Sequence, residues 1–258
     1  MQYNQIELLI CQMARMLEDG STTAVGTGMP CAAAMLAQKT TAPNLLLFFE
    51  AGGIGPQLTE MPITVGNSRT FYKGIMASSM TEVMETGQRG LLDYALLGGA
   101  QIDMYGNLNS TFVGKDHDKP DVRFPGSGGA NDLASNSWRF IILMRHEKRR
   151  FIKNLDYLTS PGYLDGKGAR EKIGLPPGSG PYKVVTNLAV LGFDEETKRM
   201  QVETIHPGVT KEEIIKETDF ELLWSPEIAE STPPTEEELH ILRTEVDPNR
   251  YVLNRAFK

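Results

Sequence analysis

The sequence contains 258 residues, of which 40% are hydrophobic and 23% are charged, enough for one large hydrophobic core or two smaller ones. The formal net charge of −7 argues against nucleic acid as the main partner, because binding to phosphates requires a basic surface. No apolar run approaches the roughly 20 residues that span a bilayer, and the N-terminus has no secretory signal. We therefore expect a cytoplasmic protein with neither a nucleic-acid nor a membrane partner.

The cysteines and histidines show no metal-ligand spacing. Cys11 and Cys31 form no pairing pattern and are expected to be reduced thiols. The histidines are separated from one another by long stretches of chain; they are His117, His146, His206 and His240. We therefore expect no metal site.

The first predicted elements alternate between helix and strand. Asn4 and Glu7 form a capping-box pattern, and the apolar residues that follow have helical spacing, which predicts a helix over residues 5–19. A short strand is predicted over 22–25, and an Ala-rich helix over 31–39. With the next strand, these elements form a βαβ unit, which favours a parallel sheet.

A Gly-x-Gly turn joins the predicted strand 22–25 to the predicted helix 31–39. Gly26 and Gly28 precede a helix N-terminus, a layout that suits phosphate binding. Cys31 stands where a dinucleotide fingerprint would have its third glycine, so a dinucleotide-dependent oxidoreductase fits poorly. The spacing alone favours a simple tight turn without a ligand.

The next strand ends in a carboxylate. The apolar run 45–49 lies between Pro43-Asn44 and Gly52-Gly53, which predicts a short strand buried on both faces. Ligands of open α/β sheets bind beyond the carboxyl ends of the strands, and Glu50 occupies that position. Gly52-Gly53 are expected to clear space for a substrate. A structural glutamate that reaches water or an arginine remains the alternative.

The middle of the chain combines loops with further elements. Residues 51–76 are rich in Gly, Pro and Thr and predict a long loop, which is expected to wall a site because it directly follows the carboxylate. A helix is predicted over 76–86 and another strand over 93–103. The tight turn Tyr105-Gly106-Asn107 follows this strand.

A glycine-rich loop (residues 126–131) precedes a predicted helix start. Successive backbone N–H groups in such a loop can converge on one negative atom, although a flexible surface loop has the same composition. A buried strand is predicted over 138–144. The basic run 145–150 after it fits a solvated face, with a role in holding a cofactor phosphate as the alternative.

The C-terminal part predicts a hairpin between residues 183–189 and 199–205, and capping boxes begin short helices after Thr210 and Thr235. We expect an α/β domain over 1–205, with a helical extension over 206–258 packed on it. The predicted fold class is an open, mainly parallel sheet with helices on both faces and the hairpin and short helices at its edge.

Seven segments together make the chain resemble the B subunits of class I coenzyme A transferases, above all those of the glutaconate CoA-transferase type. The resemblance covers nearly the whole length. It is carried by residues 25–28, 50–52, 98–103, 105–110, 126–131, 146–151 and 159–162. One departure concerns Ala51, because many members have Ser or Asn after the glutamate.

The resemblance implies roles for residues of these segments. Glu50 would be the catalytic nucleophile, and the backbone of Gly128, Gly129 and Ala130 would stabilise the oxyanion of the thioester. Coenzyme A would contact a second set of residues, namely Gly26, Gly28, Gly98, Gly99, Gln101, Gly126 and Asn131. Coenzyme A and acyl-CoA would then be substrates, with no permanently bound cofactor.

The implied enzyme is a CoA-transferase that acts by a ping-pong mechanism on an acyl-CoA and a carboxylic acid, with a dicarboxylic acid favoured. The resemblance also implies a hetero-oligomer with an A-type subunit. Acyl-CoA hydrolases and decarboxylases on the same fold are the alternative, although they typically replace the glutamate that stands here at Glu50. A non-catalytic partner subunit is a further alternative.

Overall fold

The computed structural model describes residues 2–254 of the chain. The helices of this part are α1 (Gln5–Ala14), α2 (Met29–Lys39), α3 (Met80–Gln88), α4 (Ala130–Asn136), α5 (Ala169–Lys172), α6 (Lys211–Lys216) and α7 (Glu236–Ile241). The strands are β1 (Thr22–Val25), β2 (Leu46–Phe49), β3 (Gly53–Ile54), β4 (Met76–Ala77), β5 (Tyr94–Leu97), β6 (Gln101–Ile102), β7 (Leu108–Asn109), β8 (Phe112–Val113), β9 (Val122–Arg123), β10 (Arg139–Leu143), β11 (Gly180–Val185), β12 (Ala189–Phe193), β13 (Met200–Ile205) and β14 (Leu223–Glu230).

The largest sheet has ten strands, in the order β14-β13-β12-β11-β10-β5-β1-β2-β3-β4. The strands β2, β1 and β5 pair in parallel, as do β10 and β11. Antiparallel pairs occur towards both edges, where β2, β3 and β4 follow one another and where β12 joins β11 to β13. The predicted open, mainly parallel α/β sheet is confirmed.

The chain divides into two compact units, Met1–Leu96 with Thr232–Lys258 and Leu97–Ser231. The first unit contains β1 to β4 with α1, α2, α3 and α7, and the second contains β6 to β14 with α4, α5 and α6. The domains expected from the sequence, 1–205 and 206–258, have a boundary that differs from that of the two units, and this division stays a prediction. Their outermost residues, 1 and 255–258, lie outside the described residues.

Helix α1 begins as its capping box predicts. The Asn4 side chain accepts a hydrogen bond from the N–H of Glu7, and the Glu7 carboxylate accepts one from the N–H of Asn4. The helix ends at Ala14 instead of residue 19. Arg15 follows it, and its guanidinium binds the Glu238 carboxylate at the first turn of α7, a partner that no local pattern reveals.

The predicted hairpin between 183–189 and 199–205 is wrong in register. Residues 183–185 belong to β11, and the hairpin forms instead between β12 and β13. The reason is a tight turn after β11, in which the Thr186 hydroxyl accepts hydrogen bonds from the N–H groups of Leu188 and Ala189. These local hydrogen bonds end β11 before residue 189, where β12 begins, so residues 183–189 do not form the single strand that was predicted.

Four other predicted segments also differ from the structure. The C-terminal extension contains strand β14, which pairs in parallel with β13 and is therefore stabilised by a distant segment. Helix α3 begins after Ser79, whose hydroxyl accepts a hydrogen bond from Glu82 N–H, while Met76–Ala77 form an edge strand. The predicted strand 93–103 breaks at its glycines, since Gln101–Ile102 pair separately with β7. Residues 51–76 include β3 and a 3-10 turn.

Candidate active site

Glu50 lies in the turn that directly follows β2. Phe49 before it is completely buried, whereas Glu50 is half-buried. Within residues 2–254 the Glu50 carboxylate makes neither a hydrogen bond nor an ion pair. The arginine partner that a structural glutamate would have is therefore absent from this part of the chain, and the carboxylate oxygens keep their lone pairs for another group.

The glycines after Glu50 have a structural role that differs from the expected one. Gly52 has a φ of +114°, and a Cβ at this position would overlap with the carbonyl of Ser78. A Cβ on Gly53 would overlap with the carbonyl of Thr70. The space beside these glycines is thus filled by protein backbone and not left for a substrate. Ser78 N–H also donates to the Gly52 carbonyl at 2.9 Å, which fixes the turn.

Gly26 and Gly28 lie at the same edge of the sheet as Glu50. Strands β1 and β2 are parallel neighbours with Val25 opposite Phe49, so the chain leaves the sheet at Gly26 and Glu50 side by side. Gly28 caps α2 with a φ of +81°, a conformation that favours glycine. No heavy atom lies within 4 Å of a Cβ built on either glycine. Open space therefore adjoins the start of α2.

Of the three backbone donors that the resemblance implies in the glycine-rich loop, two are free within residues 2–254. Ala130 N–H donates to the Ser127 carbonyl at 2.9 Å, so it is already engaged in a turn. The N–H groups of Gly128 and Gly129 have no acceptor within residues 2–254. Of the backbone groups that the resemblance implies for an oxyanion, these two are the ones available.

Both ends of this loop are anchored to other segments. Gly126 N–H donates to the Ser110 carbonyl at 3.1 Å, and the Ser110 hydroxyl donates back to the Gly126 carbonyl at 3.1 Å. At the other end, Asn131 Nδ2 donates to the Thr159 carbonyl at 2.8 Å. The hydrogen bonds of Gly126 and Asn131 therefore hold the loop in place.

Gln101 is committed to an internal network. Its side chain is 4% exposed. Its Nε2 donates to the Asp156 carboxylate at 2.5 Å, and its Oε1 accepts from Asn109 Nδ2 at 2.7 Å. Beside it, a Cβ on Gly99 would lie 3.0 Å from Leu108 Cδ2, and one on Gly98 would make an ordinary contact. Gln101 and Gly99 are therefore closely packed by the protein itself, whereas Gly98 is exposed.

Comparison with known proteins identifies the family to which this chain belongs. The family model described as Coenzyme A transferase matches residues 7–217. The chain belongs to the coenzyme A transferase family. It is 38% identical to the B subunit of glutaconate CoA-transferase from Acidaminococcus fermentans, over 96% of this chain and 94% of that one. It is 35% identical to the B subunit of 3-oxoadipate CoA-transferase from Pseudomonas knackmussii, over 93% and 92% of the two chains.

A solved structure agrees with these sequence matches. The crystal structure of glutaconate coenzyme A-transferase from Acidaminococcus fermentans superimposes with a TM-score of 0.92 and 36% identity, covering 99% of each chain. The assignment of the chain to the CoA-transferases is thereby confirmed, both in fold and as an enzyme class. No helix within residues 2–254 of this transferase chain is long and apolar enough to cross a membrane.

Three arginines of the basic run in this CoA-transferase chain converge on one carboxylate of the same run. Glu147 accepts hydrogen bonds or ion pairs from Arg145 at 2.8 Å and from Arg149 and Arg150 at 3.0 Å each. Burial raises the pKa of Glu147, but the hydrogen bonds from Arg150 and Arg149 outweigh it, so the pKa is lowered. The ion pairs agree with the structural interpretation of the run, but four cations with one carboxylate keep a net positive charge, so the phosphate-binding alternative stays open.

Two features of the second unit have no signal in the sequence. Burial raises the pKa of Asp103 to about 6, against hydrogen bonds from the Asn107 side chain and from the N–H groups of Tyr105 and Asn107. Arg170 is fully buried within residues 160–182, a stretch whose Gly/Pro-rich composition predicts only a connector. The sequence does not show that an arginine in such a stretch is buried, because its partners come from other segments of the chain.

Proposed function

We propose that this chain is the B subunit of a heteromeric CoA-transferase, which moves coenzyme A between an acyl-CoA and a free dicarboxylic acid through a glutamyl-CoA thioester at Glu50. The observation that carries the proposal is the Glu50 carboxylate, which has no partner in the described residues 2–254 and lies at the carboxyl edge of two parallel strands, beside the open turn at Gly26. The substrate class follows the names of the relatives, which are CoA-transferases for glutaconate and 3-oxoadipate.

The bonds that form and break in this reaction involve only the Glu50 carboxylate and the two substrates. A Glu50 oxygen attacks the thioester carbonyl, the new C–O bond forms, and the C–S bond breaks to release the coenzyme A thiolate. The thiolate then attacks the glutamyl carbonyl of this mixed anhydride. The C–S bond of glutamyl-CoA forms and the donor acid leaves as a carboxylate. The acceptor acid reverses these steps and restores Glu50.

Each attack produces a tetrahedral oxyanion, and preorganised N–H donors stabilise such an anion. We assign this role to the backbone of Gly128 and Gly129, because their N–H groups are unpaired within residues 2–254. In comparable sites one donor contributes about 3–4 kcal/mol to the transition state. The reaction also requires that water be kept from the activated glutamyl group, since otherwise the enzyme would hydrolyse acyl-CoA.

The partner is an A-type subunit, proposed because both relatives are the B subunits of their enzymes. The decisive experiment therefore uses the co-purified pair. The complex is incubated with acyl-CoA alone, treated with borohydride, and digested for peptide mass analysis. We expect reduction to change the mass of the peptide that contains Glu50 and of no other peptide.

An assay with and without acceptor acid separates the alternatives. A transferase releases the donor acid stoichiometrically with the enzyme and turns over only when acceptor is added. Continuous release of free coenzyme A without acceptor would indicate a hydrolase on the same fold. An unmodified Glu50 peptide during active transfer would rule out the thioester mechanism.

A further inference from the structure

Arg170 is a buried cation that has no carboxylate partner among residues 2–254. The residue lies in α5 and is 1% exposed. Within residues 2–254 its guanidinium forms no ion pair, and its Nε has no acceptor. Its other nitrogens donate to Pro161 O, Gly162 O and Ala134 O at 2.9 Å, to Ser179 Oγ at 3.0 Å and to Ser135 O at 3.4 Å.

These acceptors belong to segments that border the glycine-rich loop. Ala134 and Ser135 lie near the end of α4, the helix that follows the loop directly. Pro161 and Gly162 belong to the segment whose Thr159 carbonyl accepts from Asn131 at the start of the same helix. Helix α4 is therefore tied to residues 159–162 twice, by Asn131 at its first turn and through Arg170 near its last.

The burial of Arg170 has a cost in free energy, because its cation is removed from water without a counter-ion. Here burial lowers the pKa of Arg170 to about 10. The cost is offset by charge-assisted hydrogen bonds to carbonyl oxygens. The planar guanidinium reaches three chain segments at fixed angles, which the single ammonium group of a lysine cannot do.

We propose that Arg170 is a positioning residue of the transferase reaction, which holds the N–H groups of Gly128 and Gly129 in place by clamping helix α4 to residues 159–162. The inference rests on the proposed function, in which these N–H groups bind the oxyanion. Arg170 itself touches no reacting atom in this account. It acts through a helix whose rotation or shift by a fraction of an ångström would re-aim the donors.

The test compares Arg170→Lys with Arg170→Met in the co-purified pair of subunits. A matched control is Arg199→Lys, because Arg199 lies in the same unit, also has a buried Nε without an acceptor, and donates to the Glu221 carbonyl at 2.8 Å. The measured quantities are the rate constant for formation of the glutamyl-CoA thioester, the KM for acyl-CoA and the Tm.

We expect the rate constant to fall about 10- to 100-fold in Arg170→Lys, and further in Arg170→Met, with an unchanged KM, because a misplaced oxyanion donor acts on the transition state. Arg199→Lys should keep the rate of the native sequence. If Arg170→Lys lowers the Tm but leaves the rate constant of the folded protein unchanged, Arg170 is merely structural and the inference is wrong.

Should Arg170→Lys fail to assemble, Ser179→Ala decides, because the Ser179 hydroxyl holds Nη2, the nitrogen through which Arg170 binds Ala134 O of α4, and its loss loosens that side of the clamp. We expect the same rate constant to fall about two- to fivefold, the effect of one lost hydrogen bond; an unchanged value overturns the inference. If the native pair forms no thioester, the proposed function and the inference fail together. If it forms the thioester and the assembled variants match it, only the inference fails.

Discussion

Val25 lies directly opposite Phe49 in two parallel neighbouring strands. The residues that follow them, Gly26 and Glu50, therefore leave the sheet together, and the carboxylate stands beside a turn with open space in front of helix α2. Such an edge is where open α/β sheets bind their ligands. The pairing turns two separate features of the sequence into one candidate site.

Replacing the proposed nucleophile should abolish transfer without unfolding the protein. Glu50→Gln keeps the size of the side chain and removes the charged carboxylate, so we expect kcat to fall by at least about 1,000-fold. The Tm should remain that of the native sequence, since Glu50 has no partner within residues 2–254 to lose. Steady-state assays and thermal unfolding measure the two effects.

The matched control for this variant is Glu85→Gln, which changes an exposed glutamate of α3 in the same unit. It should leave both kcat and Tm unchanged. A Glu50→Gln enzyme that loses stability yet still transfers coenzyme A would show that Glu50 is structural.

The turn after Glu50 should not tolerate a side chain at Gly52. A Cβ there would overlap with the Ser78 carbonyl, and φ is +114°. We expect Gly52→Ala to lower the free energy of unfolding by about 2–4 kcal/mol, as measured by urea denaturation. The control is Gly66→Ala, where nothing lies within 4 Å, and its effect should stay within about 0.5 kcal/mol. Equal effects at both glycines would contradict the packing described at Gly52.

Activity should require a second subunit. The chain offers Glu50 and a glycine-rich loop, but the side chain of Gln101, one of the residues implied for coenzyme A, is committed internally. We expect the purified chain alone to show less than about 1% of the transfer rate of the co-purified pair, because the remaining binding contacts would come from the A-type partner. A coupled assay on both preparations measures this, and full turnover by the chain alone would contradict it.

His146 should make the protein less stable in mild acid. Burial lowers the pKa of His146 from 6.5 to about 3, so between these values the unfolded chain binds a proton that the folded chain does not. The free energy of unfolding should therefore rise as the pH rises from about 3 to about 6.5, by up to about 1.4 kcal/mol per pH unit for this group. Burial also lowers the pKa of His206, with the same sign.

The variant His146→Phe isolates this contribution. The ring of His146 stacks on Phe151 with centroids 3.8 Å apart, and a phenylalanine can keep that stacking. We expect urea denaturation between pH 4 and pH 6 to show a shallower pH dependence for the variant, by about 1.4 kcal/mol per pH unit. Identical slopes for the variant and the native sequence would show that His146 does not titrate as described.

Features that depend on neighbouring residues in the chain could be predicted from the sequence. The reciprocal bonds of Asn4 with Glu7, like those after Thr210 and Thr235, link residues three positions apart and form as predicted. The apolar run before Glu50 likewise forms a buried strand, because an unbroken apolar segment of that length fits a parallel sheet covered on both faces. The family assignment also followed from short segments in a fixed order.

Contacts between distant segments were decided only by the tertiary structure. The carbonyls that fill the space beside Gly52 and Gly53 and the pairing of β14 with β13 leave no local pattern. Arg170 is the clearest case, because its guanidinium binds carbonyl groups from several parts of the second unit. Backbone carbonyls are present at every residue, so the sequence alone shows neither which of them a buried cation will bind nor which glycine lies against another strand.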